Sequence, residues 1–225
     1  MAYFLKKFQN ETEYNEWKTS EEYLEPNVCK ILNNRTIQYK PYDPYNGHEY
    51  VDLGLPSGIK WAKCNVGANS ESETGLYFAW GETKGYTITD FIDDENYKWF
   101  VDYDDDGNVI YSKYNSTDGK TVLDLEDDAA HMNMGGDWRM PTKSEFEELI
   151  GNTISQLEIN NGIQGISFYS ENGNTLFIPG SEICIWSSSL KANDNASILR
   201  FSTSLGMSIS NHLRASLNSI RGVVK

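Results

Sequence analysis

The segment 135–146, GGDWRMPTKSEF, constrains the fold of this chain more than any other stretch. Thr142 stands at the position of a helix N-cap, and Glu145 follows three residues later, as a capping box requires. Apolar residues then recur at the i, i+3, i+4 spacing of one helix face: Phe146, Leu149 and Ile150. The pattern predicts a well-capped amphipathic helix that begins after Thr142.

Length, charge and hydrophobicity limit the class of protein. A chain of 225 residues is long enough for one sizeable domain and a small appendage. The formal net charge of -14 repels nucleic acid and anionic membranes, so we expect neither as a partner. No apolar stretch reaches the length of about 18 residues that a membrane helix needs. The N-terminal residues lack the apolar core of a secretory signal, which, with the initial Met, predicts a product made in the cytoplasm.

The first of two predicted modules spans residues 1–46. It is expected to hold a short helix, one hairpin and a turn-rich linker: a helix from Asn10 to about Lys18, strands 28–32 and 35–39 joined by Asn33 and Asn34, and a linker at 41–47. A helix and one hairpin are too small to be stable alone. We therefore expect this module to dock on the main domain, on a sister chain or on a larger assembly.

The second predicted module spans residues 47–225. Alternating apolar residues and turn signals predict strands at its start and throughout its last third, with a long polar insertion at 83–123 and two helices between them. The predicted strands are 50–53, 60–64, 76–80, 165–169, 175–178, 183–187, 198–202, 207–210 and 219–224, and the predicted helices are 124–134 and the one capped by Thr142.

Several motifs of the second module resemble one family. They are EYVDLGLPSGIKWAKCNVGA (49–68), GLYFAWGE (75–82), DLEDDAA (124–130), RMPTKSEF (139–146), IWSSS (185–189) and IRGVV (220–224). In this order they resemble C-type-lectin-like domains of the formylglycine-generating-enzyme branch, a family abundant in gut Bacteroidales and their phages. It includes the variable proteins that diversity-generating retroelements mutate.

The resemblance covers roughly residues 47–225 and implies an α+β, C-type-lectin-like fold. Such a fold has a mixed, mostly antiparallel sheet with two helices and long loops, here preceded by the small α-β-hairpin module. The N-terminal module itself resembles the short leaders of Bacteroidales phage virion proteins, through the pattern Leu-Lys-Lys-Phe…Tyr…Pro-Asn-Val…Tyr…Pro.

In the lectin-like fold, loops between the late strands present a face to ligands, and the corresponding segment here is 191–214. Leu199 and Phe201 alternate with Arg200 and Ser202, so one face is expected to be buried and the other offered to solvent. The residues predicted to bind a ligand are Asn193, Asn195, Arg200, Ser202, Ser208, Ser210, Asn211, His212 and Arg214. An ordinary solvated β-surface is the alternative interpretation.

Neither a metal nor a cofactor is expected. The segment 102–108, DYDDDGN, matches the first half of a calcium loop, but its twelfth position is Lys113 instead of a bidentate Glu. A hairpin with an acidic turn is therefore favoured, with weak Ca²⁺ binding as the alternative. The acidic residues Asp124, Glu126, Asp127 and Asp128 are predicted to be a solvated helix start.

The chain is predicted not to be an enzyme. Its three cysteines, Cys29, Cys64 and Cys184, are too few and too far apart for a disulfide framework or a zinc knuckle. Resemblance to the formylglycine-generating enzyme would require a redox-active cysteine pair near the C-terminus, where only Cys184 occurs. The serines at 187–189 lack a Gly-x-Ser-x-Gly elbow, and the histidines have no metal-ligand spacing.

The sequence thus predicts a phage virion protein, associated with a tail or capsid fibre. Residues 1–46 would attach it to other virion proteins, and the lectin-like domain would bind a host-surface glycan or protein. A homo-oligomer such as a trimer is expected, because multivalency raises the avidity of weak sites. The alternatives are a bacterial cell-surface adhesin and a decoration protein of the virion that has no ligand.

Overall fold

The computed structural model describes residues 4–7, 12, 36–39 and 45–225 without Leu205. The chain divides into two compact units, Met1–Pro44 and Tyr45–Lys225. The boundary predicted from the sequence lies close by, after residue 46.

In the first unit, strands β1 (Phe4–Lys7) and β2 (Thr36–Tyr39) pair antiparallel, with Phe4 opposite Tyr39. The sequence predicted a strand at 35–39, but it did not predict β1 as its partner. Strand 28–32, its turn at Asn33 and Asn34, and the helix from Asn10 to about Lys18, apart from Thr12, lie outside the described residues.

The second unit is built from short and medium strands, with two α-helices in its described residues. In chain order the elements are β3 (Tyr50–Val51), β4 (Lys60–Ala62), β5 (Tyr77–Phe78), β6 (Phe100–Tyr103), β7 (Val109–Tyr111), α1 (Ala129–Met134), α2 (Lys143–Gly151), β8 (Ile154–Asn160), β9 (Ile163–Tyr169), β10 (Thr175–Pro179), β11 (Glu182–Ala192), β12 (Asn195–Ser202), β13 (Gly206–Leu213), β14 (Asn218–Ser219) and β15 (Val223–Val224). None of the helices in the described residues is long and apolar enough to span a membrane.

The strands form four sheets in this unit, ordered β13-β12-β11-β14-β5, β15-β4-β3, β10-β9-β8 and β6-β7. Every pairing is antiparallel except the parallel one between β11 and β14. The last strand, β15, pairs with β4, so the end of the chain lies beside the start of this unit. The predicted α+β class, with mostly antiparallel sheets and two helices, is confirmed at this level.

Helix α2 begins where the sequence predicted it. The Thr142 side chain accepts a hydrogen bond from the Glu145 backbone N–H, and the Glu145 carboxylate accepts one from the Thr142 N–H at 2.8 Å, which completes the capping box. Glu145 also pairs with the Arg139 guanidinium, whose Nη1 lies 2.8 Å from its Oε2. The apolar face of the helix is buried, with Phe146 and Leu149 both 0% exposed.

The predicted helix at 124–134 is broken near its start. Residues Leu125–Asp127 form a 3-10 turn, and α1 begins only at Ala129. The cause is Asp128, whose carboxylate accepts a hydrogen bond from the backbone N–H of His131 at 2.9 Å and so acts as the N-cap.

The core lies on both sides of the five-stranded sheet. Trp186 and Ile198 belong to one cluster of buried side chains, whereas their neighbours along the strands, Ile185 and Leu199, belong to another. Because successive residues of a strand point to opposite faces, the two clusters cover opposite faces of the sheet. The second cluster includes α2, where Phe146 stacks on Trp61 with 5.6 Å between ring centroids.

Candidate functional site

The late strands place their side chains on two sides of the sheet. Cys184 lies opposite Arg200, and Arg200 lies opposite Ser208. Residues directly opposite each other in antiparallel strands share a face, so these three lie on one side, here called the Arg200 side. Leu199 lies opposite Ile209 on the other, the Leu199 side. Among the described strands, β13 pairs with β12 alone and forms one edge of this sheet.

The predicted binding residues therefore do not form one surface. Five of them share the Arg200 side: Arg200, Ser202, Ser208, Ser210 and His212. Asn195 and Asn211 lie on the Leu199 side, and Asn193 lies in the turn between β11 and β12. A ligand on either side of the sheet would meet only part of the predicted set.

Arg214 lies in the interior instead of on the predicted outer surface. Its side chain is 0% exposed. Its guanidinium donates to the backbone carbonyls of Asn193 at 2.8 Å, Lys113 at 2.8 Å and Tyr114 at 3.2 Å, and it stacks 4.0 Å from the centre of the Tyr111 ring. A buried guanidinium needs hydrogen-bond acceptors, and these carbonyls supply them for Nη1 and Nη2, whereas Nε is buried without a partner among the described residues. Arg214 thus links the insertion to the turn between β11 and β12.

Ser202 and His212 are also less accessible than predicted. Ser202 is 2% exposed, because it lies between Glu182 of β11 and Gly206 of β13. His212 is half-buried, with its ring edge-on to Trp186 and its Nδ1 3.1 Å from the Asn218 Oδ1. Burial lowers the pKa of His212, so the ring is neutral near pH 7.

The accessible part of the Arg200 side is a polar patch, defined as Glu182, Cys184, Arg200, Ser208 and Ser210. Glu182 and Ser208 are exposed, and the other three are half-buried. No hydrogen bond or ion pair from another described residue engages the Arg200 side chain, so its donors can meet a bound molecule. The patch extends across the sheet from β11, whose middle residues are buried, through β12 to β13 at the edge.

The thiol in this patch is not set up for nucleophilic chemistry. Burial raises the pKa of Cys184, although the positive charge of Arg200 opposes that shift. The thiol is therefore protonated near neutral pH, and the thiolate is the reactive form. Among the described residues, Cys64 and Cys184 are free cysteines, and Cys29 lies outside that part of the chain.

A groove lies where the insertion meets the end of β13. Its volume is about 460 Å³, and it is lined by residues 90–94 together with Leu213 and residues 215–217. The 3-10 turn Asp94–Asn96 fixes one wall, because the Asp93 carboxylate accepts from the Asn96 N–H at 3.0 Å. Another part of the lining is a turn in which the Ser216 N–H donates to the Leu213 carbonyl at 2.9 Å.

Sequence reasoning missed this groove. Its apolar residues include Phe91, which is 85% exposed, and Leu213, which is 52% exposed. The available signal was the apolar pair Phe91-Ile92, which is flanked on both sides by aspartates. Because Leu213 lies more than a hundred positions later in the chain, nothing local indicates that it lines the same cavity.

The acidic residues of the insertion and of the helix start are used within the fold. At 102–108 the favoured hairpin is confirmed: Asp104 Oδ1 accepts from the backbone N–H groups of Asp106 at 3.0 Å and Asn108 at 2.8 Å. Among described residues, the one group of three or more metal-ligand side chains is Asp124, Glu126 and Asp127.

A lysine ammonium already pairs with all three carboxylates of that group. Lys113 Nζ lies 2.7 Å from Asp124, 3.0 Å from Glu126 and 2.5 Å from Asp127. The hydrogen bond from Lys113, with help from Lys120, lowers the pKa of Asp124 to about 2. The prediction of a solvated helix start is wrong for Asp127 and Asp128, which are 3% and 2% exposed.

Comparisons of the chain with models of protein families, with curated proteins and with solved structures found no match. Membership of the C-type-lectin-like family therefore stays a prediction from the sequence motifs.

Proposed function

We propose that this chain is a non-enzymatic phage virion protein that binds a host-surface glycan or protein. In this proposal residues 47–225 adopt the C-type-lectin-like fold suggested by the motifs, and residues 1–46 attach the protein to other virion proteins. The mostly antiparallel sheets, the two helices and the long insertion support the fold proposal. The observation that carries the binding proposal is the polar patch at the free edge of the five-stranded sheet.

Two properties of the patch favour binding over catalysis. Arg200 offers unpaired donors beside the hydroxyl groups of Ser208 and Ser210, a set that suits hydrogen bonds to a carboxylate, a sugar hydroxyl or a backbone carbonyl. The strands that carry these groups are anchored by buried side chains, such as Ile198 and Leu199, both 0% exposed. Donors on a rigid support bind without a large ordering cost.

Display of the full chain at high density on beads tests the binding proposal. The beads are offered to a panel of gut Bacteroidales strains and to a glycan array, since multivalency reveals weak single-site affinity. We expect at least one strain or glycan to bind. Ser208→Tyr should block that binding, whereas Ser155→Tyr, the same change on an exposed residue of β8, should not.

Attachment is tested separately in phage particles. Deletion of residues 1–46 should abolish incorporation into virions if this module is the anchor. Copurification of the truncated chain with particles at the full level would refute that role. Failure of all strains and glycans to bind, with normal incorporation, would instead favour a decoration protein without a ligand.

A further inference from the structure

We infer that the groove between residues 90–94 and the end of β13 is a second binding site, which takes a polypeptide segment carrying both basic and apolar side chains. The inference goes beyond the proposed function and is independent of the polar patch. Leu213 lines the groove, and it lies on the Leu199 side of the sheet, opposite to Arg200 and Ser208.

The first argument is the apolar surface left in the groove. Phe91 and Leu213 both line the groove, with 85% and 52% of their surfaces exposed. Ile92, Ala215 and Leu217 pack on a buried cluster that contains Tyr97 and Tyr111. Large apolar side chains gathered at a concave site are typical of an interaction surface. A volume of about 460 Å³ suits a few side chains of a partner, not a whole domain.

The second argument is charge. The wall formed by the insertion carries Asp90, Asp93 and Asp94, and none of the described residues that line the groove is a lysine or an arginine. Hydrogen bonds from the Thr87 backbone and hydroxyl lower the pKa of Asp90, which keeps it ionised. The Asp94 carboxylate accepts no hydrogen bond from a described residue. Desolvation raises the pKa of Tyr103, and the negative charges of Asp94, Glu95 and Asp93 raise it further.

Together these features select a cationic, partly apolar polypeptide. A guanidinium can pair with the free Asp94 carboxylate and stack on the exposed Phe91 ring, while a leucine or phenylalanine of the same segment covers the aliphatic floor. The Asp94 carboxylate can accept from one sugar hydroxyl, but hydroxyls placed over Ile92, Ala215 and Leu217 would be buried without partners, so a neutral sugar fits less well. An anionic ligand would meet three carboxylates.

Binding to a peptide array tests the inference. The full-length protein is offered octapeptides that combine Arg or Lys with Leu, Phe or Trp. Each peptide is matched with one in which the basic residues are Glu and one in which the apolar residues are Ser. We expect binding to basic-apolar peptides alone, and weaker binding at high salt, because exposed charge pairs are screened.

Variants then locate the site. Phe91→Ala is expected to weaken peptide binding about tenfold, as truncation of a central aromatic contact does, and Asp94→Asn about threefold. The matched controls are Ile159→Ala and Glu171→Gln, which make the same kinds of change at exposed positions on β8 and in the β9–β10 turn. Both should bind within about twofold of the wild type. Because Phe91 is exposed, its replacement should leave the thermal unfolding midpoint unchanged.

Two results of the array would overturn the inference: no basic-apolar peptide binds, or the Glu-containing peptides bind equally well. Two results of the variants would do the same. Either Phe91→Ala and Asp94→Asn bind like their controls, or they lose binding to neutral oligosaccharides, which would make the groove a sugar site. Each is distinguishable from failure of the proposed function. Host-cell binding that survives Phe91→Ala and is lost in Ser208→Tyr supports the patch irrespective of the peptide result.

Discussion

Replacing Arg214 by methionine tests whether this residue is a structural clamp, as its burial indicates. The change removes three hydrogen bonds from the guanidinium to main-chain carbonyls and its stacking on Tyr111, while it keeps an unbranched apolar side chain in place. A hydrogen bond in a folded protein contributes about 1 kcal/mol net, and a close cation–π contact about 0.5–1 kcal/mol. The expected loss in the free energy of unfolding is about 3–4 kcal/mol.

Urea denaturation, with circular dichroism as the readout, measures that loss as a lower transition midpoint at an unchanged slope. For a domain of this size the melting temperature should fall by about 6–16 °C. Arg200→Met is the matched control, because the half-buried Arg200 makes no hydrogen bond to another described residue. It should change the free energy of unfolding by less than about 0.5 kcal/mol.

Arg214→Lys separates geometry from charge. A lysine ammonium is a point charge without the planar fork of guanidinium, so it cannot meet three carbonyls in the same arrangement. We expect about half the loss of the methionine variant. A loss below about 1 kcal/mol for Arg214→Met, or an equal loss for Arg200→Met, would refute the reasoning.

Three further predictions concern stability, measured by urea denaturation. Thr142→Ala removes the N-cap of α2 and should cost about 1 kcal/mol; no loss would contradict the capping role. Lys113→Met leaves the buried Asp127 without its nearest cation and should cost about 3 kcal/mol at pH 7. Hydrogen bonds from Lys113, Lys98 and Tyr114 outweigh burial and hold the pKa of Asp127 below its usual 3.8, so this stabilisation is present above that pH and is lost as the pH falls through the folded-state value. The difference in the free energy of unfolding between the wild type and Lys113→Met should therefore shrink in acid. A difference independent of pH would contradict this role of Asp127. Gly165→Ala places a Cβ 2.4 Å from the Ile178 carbonyl oxygen and should cost about 2–3 kcal/mol, whereas Gly151→Ala, in open space on a helix, should be neutral or slightly stabilising.

The elements that the sequence predicted well are those specified by neighbouring residues. The capping box of α2 needs only Thr142 and Glu145, and the hairpin at 100–111 needs only its strands and its acidic turn. The 3-10 break before α1 was missed because Asp128 had two local interpretations, helix residue or N-cap. Its carboxylate also accepts from the Met140 N–H, twelve residues away, which favours the cap.

Strand β8 was missed because its apolar residues do not follow a strand's alternation. Ile154 is 74% exposed, Leu157 43% and Ile159 75%, and Ile154 lies on the opposite face from the other two. The strand is held by its pairing with β9 instead of by burial of one face. Without an alternating pattern, period-2 reasoning finds no strand.

The candidate site was predicted only in part, because register decides which side chains share a side. Alternation correctly placed Leu199 in the core, but the face expected to meet solvent is also largely covered, because Ile198 on that face is 0% exposed and Arg200 is half-buried. It failed for Arg214, whose carbonyl partners Lys113 and Tyr114 are 101 and 100 residues away in sequence. The residues next to Arg214 in the sequence therefore give no indication of these contacts.

Binding of bead-displayed protein to host cells, before and after charge reversal at Arg200, tests the central proposal most directly. If the polar patch meets the ligand, Arg200→Glu should weaken binding to a responsive strain by at least about tenfold, because a charge-assisted contact becomes repulsive. Lys225→Glu, the same reversal at the exposed C-terminal residue, should bind like the wild type. Equal binding by the two variants, or no binding by the wild type to any strain or glycan, would contradict the proposal.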